Sequence, residues 1–320
     1  MKIAIVGCGG IGQRYSTILK DFAEVVAVCD PDQTRAAEAA AKCGAKPYAS
    51  VEEALAAEAI DVVFITTSTR FHKPVFLSAL AAGKDIFLEK PMAENLNDAR
   101  EMVAAYEATS GQVFGFGFKL RFESTFVEAK KIIGSGEIGD VRTIAFTYSQ
   151  SVPAGERIWY VDSGILNEMH IHGLDLVTWW ANSKPKTVTA DLGYELGRKG
   201  EDSAWTEIRF ANGVRSVVHG AYYPDFPNVS GKSDISFQIV GTKGHIVGYR
   251  PNVLHITSSQ RTETLQLLFE DPFITELRAF VQSMDAGKGA PVTGEAGIVA
   301  QQVIDAAKRS AKEGKAVAIG

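Results

Sequence analysis

Short apolar runs alternate with amphipathic stretches from residue 2 to about residue 117. The runs, which predict strands, are KIAIV, EVVAVC, DVVFIT, DIFLE and QVFGF, and the helix-like stretches are 33–43, 71–82 and 95–109. Strands that are apolar on both faces and separated by helices are typical of a parallel sheet covered by helices on both sides. The pattern therefore predicts a doubly wound α/β domain over residues 1–118.

The pattern changes after about residue 118. A helical stretch at 122–134 leads to the extended run GDVRTIAFTYSQ and to an apolar helical segment at 163–181. Further extended runs follow at 186–196, 203–210, 214–222, 234–240, 244–248, 253–257 and 263–268, and two helices at 272–286 and 293–313 close the chain. Strands in series, without helices between them, predict a largely antiparallel sheet. Residues 119–320 are therefore predicted to form an α+β domain with a large sheet.

The composition argues against several kinds of partner. The 320 residues carry a formal net charge of −5 and no long run of Lys or Arg, so we expect neither nucleic acid nor a membrane as a partner. Glycines follow the first residues too early for a signal peptide, and no apolar stretch is long enough to span a membrane, so we expect a cytoplasmic protein. Cys8, Cys29 and Cys43 lack the spacing of a disulfide framework or a zinc knuckle, and we expect no metal.

A glycine-rich turn follows the first strand and opens a helix. Gly7, Gly9 and Gly12 have the G-x-G-x-x-G spacing, in which the backbone approaches a pyrophosphate at the positive end of the helix. The next strand ends at Asp30, eighteen residues after Gly12, where a carboxylate can accept the ribose hydroxyls and repel a 2′-phosphate. We therefore expect NAD, although Arg35 keeps NADP open as a less favoured cofactor. The predicted contacts in this turn are Gly7, Gly9, Gly10, Ile11, Gly12 and Asp30.

Two further loops follow later strands of the same half. TTSTRFH at 66–72 follows DVVFIT, and LEKPMA at 88–93 completes the strand DIFLE. Loops at the carboxyl ends of parallel strands are where open α/β sheets bind ligands. The predicted cofactor contacts in these loops are Thr66, Thr67, Ser68, His72, Glu89 and Lys90. On these residues alone, a solvated lysine at a strand end is the alternative interpretation of Lys90.

The segment ILNEMHIHGLDL, residues 165–176, places ionisable groups in an apolar stretch. If the segment is α-helical, Glu168, His172 and Asp175 fall within about 40° of one another, and His170 points about 200° away from Glu168. A carboxylate one turn from an imidazole fixes its tautomer and stabilises its protonated form, which suits a residue that accepts a proton. We expect His170 to be a structural histidine. A metal site built from Glu168, His170 and His172 would require the spacing of a strand.

Aromatic and basic residues near this segment allow two interpretations. Trp159 and Tyr160 precede it and are as compatible with stacking on a sugar ring as with structural packing. Lys119, Arg121 and Arg157 are compatible either with binding a carboxylate or phosphate of the substrate or with plain surface charge.

Taken in order, several motifs resemble the glucose-fructose oxidoreductase / inositol dehydrogenase / MocA (Gfo/Idh/MocA) family. The motifs, which cover essentially the whole chain, are VGCGGIG, VFITTSTRFHKP, ALAAGKDIFLEKPMA, RFESTFVEAKKIIGSGEIGDV, GLDLVTWW and IVGTKGHI. The resemblance implies an NAD(P)-binding Rossmann domain and a substrate-binding and oligomerisation α+β domain with a mostly antiparallel, open-faced sheet. It also implies oxidation or reduction of a secondary hydroxyl or carbonyl on a sugar, inositol or sugar derivative.

The resemblance also implies residue roles. Lys90 would contact both the nicotinamide and the substrate hydroxyl, and His172 would be the acid/base residue. Two positions depart from the family pattern, because Glu168 stands where the family usually has aspartate, and Lys119 where many members have a small amide. The predicted catalytic residues are Lys90, His172 and Glu168, and the predicted substrate contacts are Lys119, Arg121, Trp159, Tyr160, Asn167 and His172.

Other functions of the same fold are open on these residues. An NAD-dependent glycoside hydrolase would oxidise its substrate transiently, and a non-catalytic sugar or NAD sensor would bind without turnover. A broad sheet with apolar positions on its open face would be costly to expose. We therefore expect a homodimer or homotetramer that forms through the sheet of the second domain.

Overall fold

The computed structural model describes residues 1–151, 159–223 and 233–319. The chain divides by internal contacts into two units. The first unit consists of Met1–Lys119 and Asp271–Gln301, and the second of Leu120–Glu270 and Gln302–Gly320. Among the described residues, no helix combines the length and the apolarity that crossing a membrane would require.

The described residues form ten α-helices. They are α1 Gly10–Leu19, α2 Gln33–Cys43, α3 Val51–Ala57, α4 His72–Ala81, α5 Leu96–Glu107, α6 Ser124–Ser135, α7 Trp159–Ser163, α8 Ile171–Ala181, α9 Pro272–Asp285 and α10 Gly294–Glu313. Short polar side chains fix several of the starting points, since they accept hydrogen bonds from amides of the first turn. Asp32 does so for α2, Ser50 for α3, Asn95 for α5 and Asp271 for α9.

The first unit contains a six-stranded parallel sheet. Its strands are β1 Lys2–Val6, β2 Glu24–Cys29, β3 Lys46–Tyr48, β4 Val62–Ile65, β5 Asp85–Glu89 and β6 Phe114–Gly117. They lie in the order β3-β2-β1-β4-β5-β6 and pair in parallel, which confirms the predicted doubly wound sheet. The strand order reverses between β1 and β4, and the crevice at such a switch point is where open α/β sheets bind ligands.

Residues 271–301 belong to the first unit, whereas the sequence pattern placed everything after residue 118 in the second domain. The reason is the apolar face of α9. Phe273, Leu277, Phe280 and Val281 are buried in the same core cluster as residues of β1, β2, β4 and β5. The Phe280 ring lies edge-on to Phe64 at 5.4 Å and to Phe87 at 5.0 Å between ring centroids. Helix α9 therefore completes the core of the first unit, although along the chain it lies between the two segments of the second unit.

The described part of the second unit contains a nine-stranded sheet. Its strands are β7 Val141–Ser151, β8 Pro185–Gly193, β9 Ser203–Phe210, β10 Arg215–Tyr223, β11 Ser233–Gly241, β12 Gly244–Tyr249, β13 Val253–Ser258, β14 Thr262–Gln266 and β15 Val317–Ala318. The order is β14-β13-β12-β11-β7-β10-β9-β8-β15. Within these described strands, the pairs are antiparallel except for β7 and β10, which confirms the prediction of a mostly antiparallel sheet.

One face of this sheet packs against helices of its own unit. Phe146 and Phe237 on neighbouring strands contact Phe126 of α6 and Trp180 of α8. All four rings are almost fully buried. The alternation of buried and accessible residues along β9 and β10 leaves the opposite face of the sheet accessible.

Candidate active site

The glycine-rich turn between β1 and α1 is shaped by close backbone contacts. Gly7 has φ +97°, and a Cβ atom built there would lie 2.5 Å from the Thr67 nitrogen. A Cβ atom on Gly12 would lie 1.9 Å from the Gly7 carbonyl oxygen. Both positions therefore require glycine.

Gly9 faces open space instead. Apart from the adjacent residues and the backbone of α1 itself, no atom of the described residues lies within 4 Å of a Cβ atom built on Gly9 or Gly10. Helix α1 begins at Gly10, so the amides of its first turn have no acceptor within the helix and carry its positive dipole end. Open space against such amides fits the pyrophosphate of a dinucleotide.

Asp30, at the end of β2, is a buried carboxylate with a fixed direction. One of its oxygens accepts the Cys8 amide at 2.8 Å, and the other accepts the Asp32 amide at 2.9 Å. The sequence predicted a carboxylate at the end of this strand, and the structure places it beside the glycine-rich turn.

The loop after β4 is bonded to the same turn. The Thr66 hydroxyl donates to the Gly7 carbonyl at 2.7 Å, which holds β4 against the turn. The Thr67 hydroxyl oxygen is buried and has no hydrogen-bond partner within the described part of the chain. A buried hydroxyl of this kind is commonly satisfied by a ligand or water. The residues around the turn therefore fit a dinucleotide, and Ser68 lies exposed beside them.

His72 lies between this loop and the loop that carries Lys90. Its Nδ1 is 2.9 Å from the Pro91 carbonyl oxygen, and its Nε2 is 3.1 Å from the Thr67 carbonyl oxygen. Burial lowers the pKa of His72, so the neutral ring donates to one of these carbonyls. We expected His72 to contact the cofactor, but both ring nitrogens face backbone carbonyls. It joins the two loops instead.

Glu89 anchors the Lys90 loop from the other side. One carboxylate oxygen accepts the hydroxyl of Tyr15 from α1, and the other accepts the Lys90 amide at 3.1 Å. Burial, followed by the charge of Glu89, raises the pKa of Tyr15 well above its usual value, which keeps its proton on the hydroxyl. The sequence predicted a cofactor contact for Glu89 and assigned no role to Tyr15. In the structure the side chains of Tyr15 and Glu89 connect α1 to the loop that carries Lys90. The Lys90–Pro91 peptide bond in this loop is cis.

In the second unit, residues 159–181 form three helical pieces where the sequence predicted one helix over 163–181. Helix α7 ends at Ser163, Gly164 follows with φ +89°, and Leu166–His170 form a π-helical turn before α8. In that turn the Ile171 amide bonds to the carbonyl of Leu166, five residues back. The angles predicted at 100° per residue therefore do not apply between Glu168 and His172.

Glu168 and His172 are both buried at this junction. The Ser163 hydroxyl donates to Oε1 of Glu168 at 2.7 Å, and the Asn167 side-chain amide donates to the Ser163 carbonyl at 2.8 Å. The sequence pattern predicted no role for Ser163, because its partners lie four and five residues later across an irregular turn.

The sequence predicted that Asp175 shares one helix face with Glu168 and His172, but in the structure its carboxylate is paired with Arg121. Arg121 donates to both carboxylate oxygens of Asp175, from Nε at 2.9 Å to one and from Nη2 at 2.6 Å to the other. Burial raises the pKa of Asp175, and the Arg121 guanidinium opposes that shift. Arg121 was predicted either to bind the substrate or to be a surface charge, and the structure shows a third role as the partner of Asp175.

His170 lies in the core of the second unit. Its Nε2 is 3.2 Å from the Tyr148 carbonyl oxygen, and burial lowers its pKa to about 4. This confirms the prediction that His170 is structural. The described residues contain no group of three or more His, Cys, Asp or Glu side chains that could hold a metal ion.

The other predicted substrate contacts have different outcomes. The Lys119 ammonium lies 4.2 Å from the centroid of the Phe273 ring, a cation–π contact within the first unit. Trp159 and Tyr160 lie in α7, but their side chains are outside the described part of the structure, as is Arg157.

Comparison with known proteins gives matches to both halves of the chain. Residues 1–117 match the GFO_IDH_MocA model, described as an oxidoreductase family with an NAD-binding Rossmann fold, and residues 126–247 match the GFO/IDH/MocA C-terminal domain. The myo-inositol 2-dehydrogenase of Thermotoga maritima is 28% identical, over 99% of this chain and 98% of that protein. The 1,5-anhydro-D-fructose reductase of Ensifer adhaerens is also 28% identical, over 98% and 97%.

A solved structure shows the same fold. The crystal structure of an oxidoreductase from Agrobacterium radiobacter, in complex with NAD+, L-tartaric acid and magnesium, matches with a TM-score of 0.88. The two chains are 22% identical, and the match covers 100% of this chain and 98% of that one.

We predict that His170 makes the free energy of unfolding sensitive to acid. Its pKa is about 4 in the folded protein, against 6.5 for an ordinary histidine, so the unfolded chain binds the proton more tightly. This contribution to stability is present above pH 6.5 and is lost as the pH falls towards 4. Between pH 7 and pH 4.5 the loss from this residue is about 2 kcal/mol. Urea unfolding of wild type and His170→Gln at both pH values measures it.

His255→Gln is the matched control, because His255 is exposed on β13. We expect His170→Gln to lose less free energy of unfolding on acidification than wild type and His255→Gln. Equal losses in all three proteins would contradict the assignment of His170 as a buried neutral histidine.

Proposed function

Because this chain belongs to the Gfo/Idh/MocA family of oxidoreductases, we propose that it transfers a hydride between NAD and a secondary hydroxyl or carbonyl carbon of a polyol, sugar or sugar derivative. The observation that carries the proposal is the loop system of the first unit, in which Thr66, Thr67 and His72 connect the open glycine-rich turn to the loop that carries Lys90. Relatives that act on inositol and on an anhydro sugar support the substrate class.

The first unit offers groups that would complement the pyrophosphate and a ribose of the cofactor. The amides of Gly10 and Ile11 would bind the pyrophosphate, and the Asp30 carboxylate would accept the ribose hydroxyls. The buried Thr67 hydroxyl would gain a hydrogen-bond partner. When bound, the nicotinamide would accept or supply the hydride.

The protein must move the proton that accompanies the hydride. We propose that His172 takes the hydroxyl proton during oxidation and returns it during reduction, with Glu168 supporting the protonated ring. The Lys90 ammonium would stabilise negative charge on the substrate oxygen. The hydrogen bond from the Lys90 amide to Glu89 and the contact of His72 with Pro91 would keep the base of the lysine in place.

We predict that Lys90→Ala and His172→Asn each lower kcat by about 100-fold or more, since each removes a group that acts in the transition state. The assay follows NADH formation from NAD with a panel of inositols, aldoses, anhydro sugars, and uronic and amino sugars. Lys84→Ala and His255→Asn are matched controls, because Lys84 precedes β5 whereas Lys90 follows it, and His255 is exposed.

The outcome also separates this proposal from its alternatives. Release of free sugar from a glycoside without net NADH would indicate the hydrolase. Binding of sugar and NAD without turnover, unaffected by Lys90→Ala, would indicate the sensor. Activity that survives both Lys90→Ala and His172→Asn would contradict the proposed catalytic pair.

We propose NAD rather than NADP as the cofactor because of the charge of Asp30. Its two oxygens are held by the Cys8 and Asp32 amides, so the carboxylate cannot turn away from a 2′-phosphate without losing both bonds. We predict that wild type prefers NAD over NADP by about 100-fold or more in kcat/KM, and that Asp30→Asn reduces this ratio at least about tenfold.

Steady-state kinetics with both cofactors measure the ratio. Asp21→Asn is the control, since it removes one acidic charge at the exposed end of α1, away from the glycine-rich turn. A ratio that stays the same in Asp30→Asn would show that another residue sets the preference, with Arg35 the next to test.

We propose that the chain forms a homodimer or homotetramer through the accessible face of the second unit's sheet. Residues facing one another across five strands form a row on this face, namely Trp205, His219, Thr147, Ser236 and Tyr249. Trp205 is 48% exposed and Tyr249 49%, and the Trp205 ring stacks on His219 at 4.6 Å between centroids. Large aromatic rings on a sheet face are typical of a contact surface.

We predict a mass of two or four chains in light scattering at micromolar concentration. Trp205→Glu should lower this mass, because it places a charge where an aromatic ring would be buried. Leu268→Glu, at an 87% exposed position outside the sheet, should leave it unchanged. A monomeric wild type would contradict the proposal.

A further inference from the structure

We propose that Ser163 is a positioning residue for the proton transfer, because its hydroxyl sets the orientation in which Glu168 supports His172. The inference rests on the proposed function, which makes His172 the proton acceptor. It adds a residue to the site and gives Glu168 a defined geometry.

Ser163 holds two neighbouring side chains at once. Its hydroxyl donates to Oε1 of Glu168 at 2.7 Å, and its carbonyl accepts the side-chain amide of Asn167 at 2.8 Å. The Glu168 amide bonds to the carbonyl of Gly164, at 3.1 Å. Both the main chain and the side chain of Glu168 are therefore tied to the Ser163–Gly164 corner.

The corner itself is fixed by Glu201. The Ile165 amide donates to the Glu201 carbonyl at 2.8 Å, and the Leu166 amide donates to the Glu201 carboxylate at 3.2 Å. Glu201 is 4% exposed, and a Cβ atom on Gly164 would lie 2.3 Å from its Oε1. Gly164 needs to be glycine because of this contact and because of its φ of +89°. Ser163 therefore presents its hydroxyl from a constrained backbone.

A glutamate at this position needs such a restraint. Glu168 is 7% exposed, and a buried carboxylate requires hydrogen-bond donors. Helical side chains point back towards the amino terminus, which directs the Glu168 carboxylate towards Ser163 across the π-helical turn. An aspartate, one methylene shorter, would not reach the Ser163 hydroxyl. The length of the glutamate and the hydroxyl of Ser163 thus form a matched pair.

The orientation of the carboxylate determines what it does for His172. A carboxylate in a fixed position favours the protonated imidazole, which is the form that exists after the proton has been taken. Without the Ser163 hydroxyl, Glu168 would sample other rotamers and support that form less. The step that slows is proton transfer, whereas the contacts that bind NAD lie in the first unit and are unchanged.

The test is a double-mutant cycle in the full-length protein, with Ser163→Ala, Glu168→Asp and the double variant. We expect Ser163→Ala to lower kcat for polyol oxidation by about tenfold with little change in the KM for NAD. In the Glu168→Asp background, Ser163→Ala should cause no further loss. Ser163→Thr, which keeps a hydroxyl, should restore most of the activity.

The pH dependence of kcat gives a readout that a purely structural role would not change. Weaker support of the protonated imidazole lowers its proton affinity, so the acidic limb of the oxidation profile should shift to lower pH in Ser163→Ala. Ser135→Ala is the matched control, since Ser135 also ends a helix and its hydroxyl bonds to a backbone carbonyl. Thermal unfolding of every variant identifies losses that come from destabilisation.

Failure of the role proposed for Ser163 can be distinguished from failure of the proposed function. If wild type forms NADH, Lys90→Ala and His172→Asn abolish it, and Ser163→Ala has normal kcat and an unshifted profile, the proposed function stands and this inference is overturned. If Ser163→Ala lowers kcat equally in the wild-type background and in the Glu168→Asp background, the inference is overturned as well. If wild type forms no NADH from any substrate of the panel, the proposed function fails and the inference fails with it.

Discussion

The close approach of the glycine-rich turn to the end of β4 is the constraint on which the first unit depends. Gly12 can approach the Gly7 carbonyl only because it has no side chain, and the Thr66 hydroxyl binds that same carbonyl. The next residue, Thr67, offers its carbonyl to His72, whose other ring nitrogen faces the carbonyl of Pro91. A continuous series of short contacts therefore leads from the turn that fits a pyrophosphate to the carbonyl of Pro91, the residue that follows Lys90.

A second connection reaches the same lysine through the core. Tyr15 lies on the inner side of α1, edge-on to Phe64, Phe87 and Phe273, and its hydroxyl binds Glu89. Burying the Glu89 carboxylate is unfavourable unless donors satisfy it. The donors here are Tyr15 and the Lys90 amide. The helix that begins at the glycine-rich turn and the strand that precedes Lys90 thus share one buried polar contact.

Much of the fold follows from periodicity, whereas the details of the site follow from contacts between distant residues. The strands β1, β4 and β5 each contain a continuous apolar run, and the glycine spacing stands directly after β1, so local sequence was sufficient to predict both. Helix α9 has an equally clear amphipathic pattern, but nothing in that pattern states which sheet its apolar face covers. The three-residue strand β3 is too short to produce a periodic signal. The partners Arg121 and Asp175 are 54 residues apart, and Tyr15 and Glu89 are 74 apart.

The segment 165–176 shows why identical residue types in one stretch need separate explanations. His170 and His172 are two residues apart, and the first is held neutral in the core at the Tyr148 carbonyl. Asp175 and Glu168 are both buried acids, but Asp175 is neutralised by Arg121 and Glu168 is bound by a serine hydroxyl. Removing the Arg121 guanidinium would leave the carboxylate of Asp175 in α8 buried without its partner, at a cost of about 3–5 kcal/mol. This pair therefore stabilises the helix that carries His172. A hydroxyl binds a carboxylate without cancelling its charge. The two acids of this helical segment are therefore held by different chemistry, Asp175 by a charged partner far away along the chain and Glu168 by a neutral hydroxyl at the corner that precedes the π-helical turn.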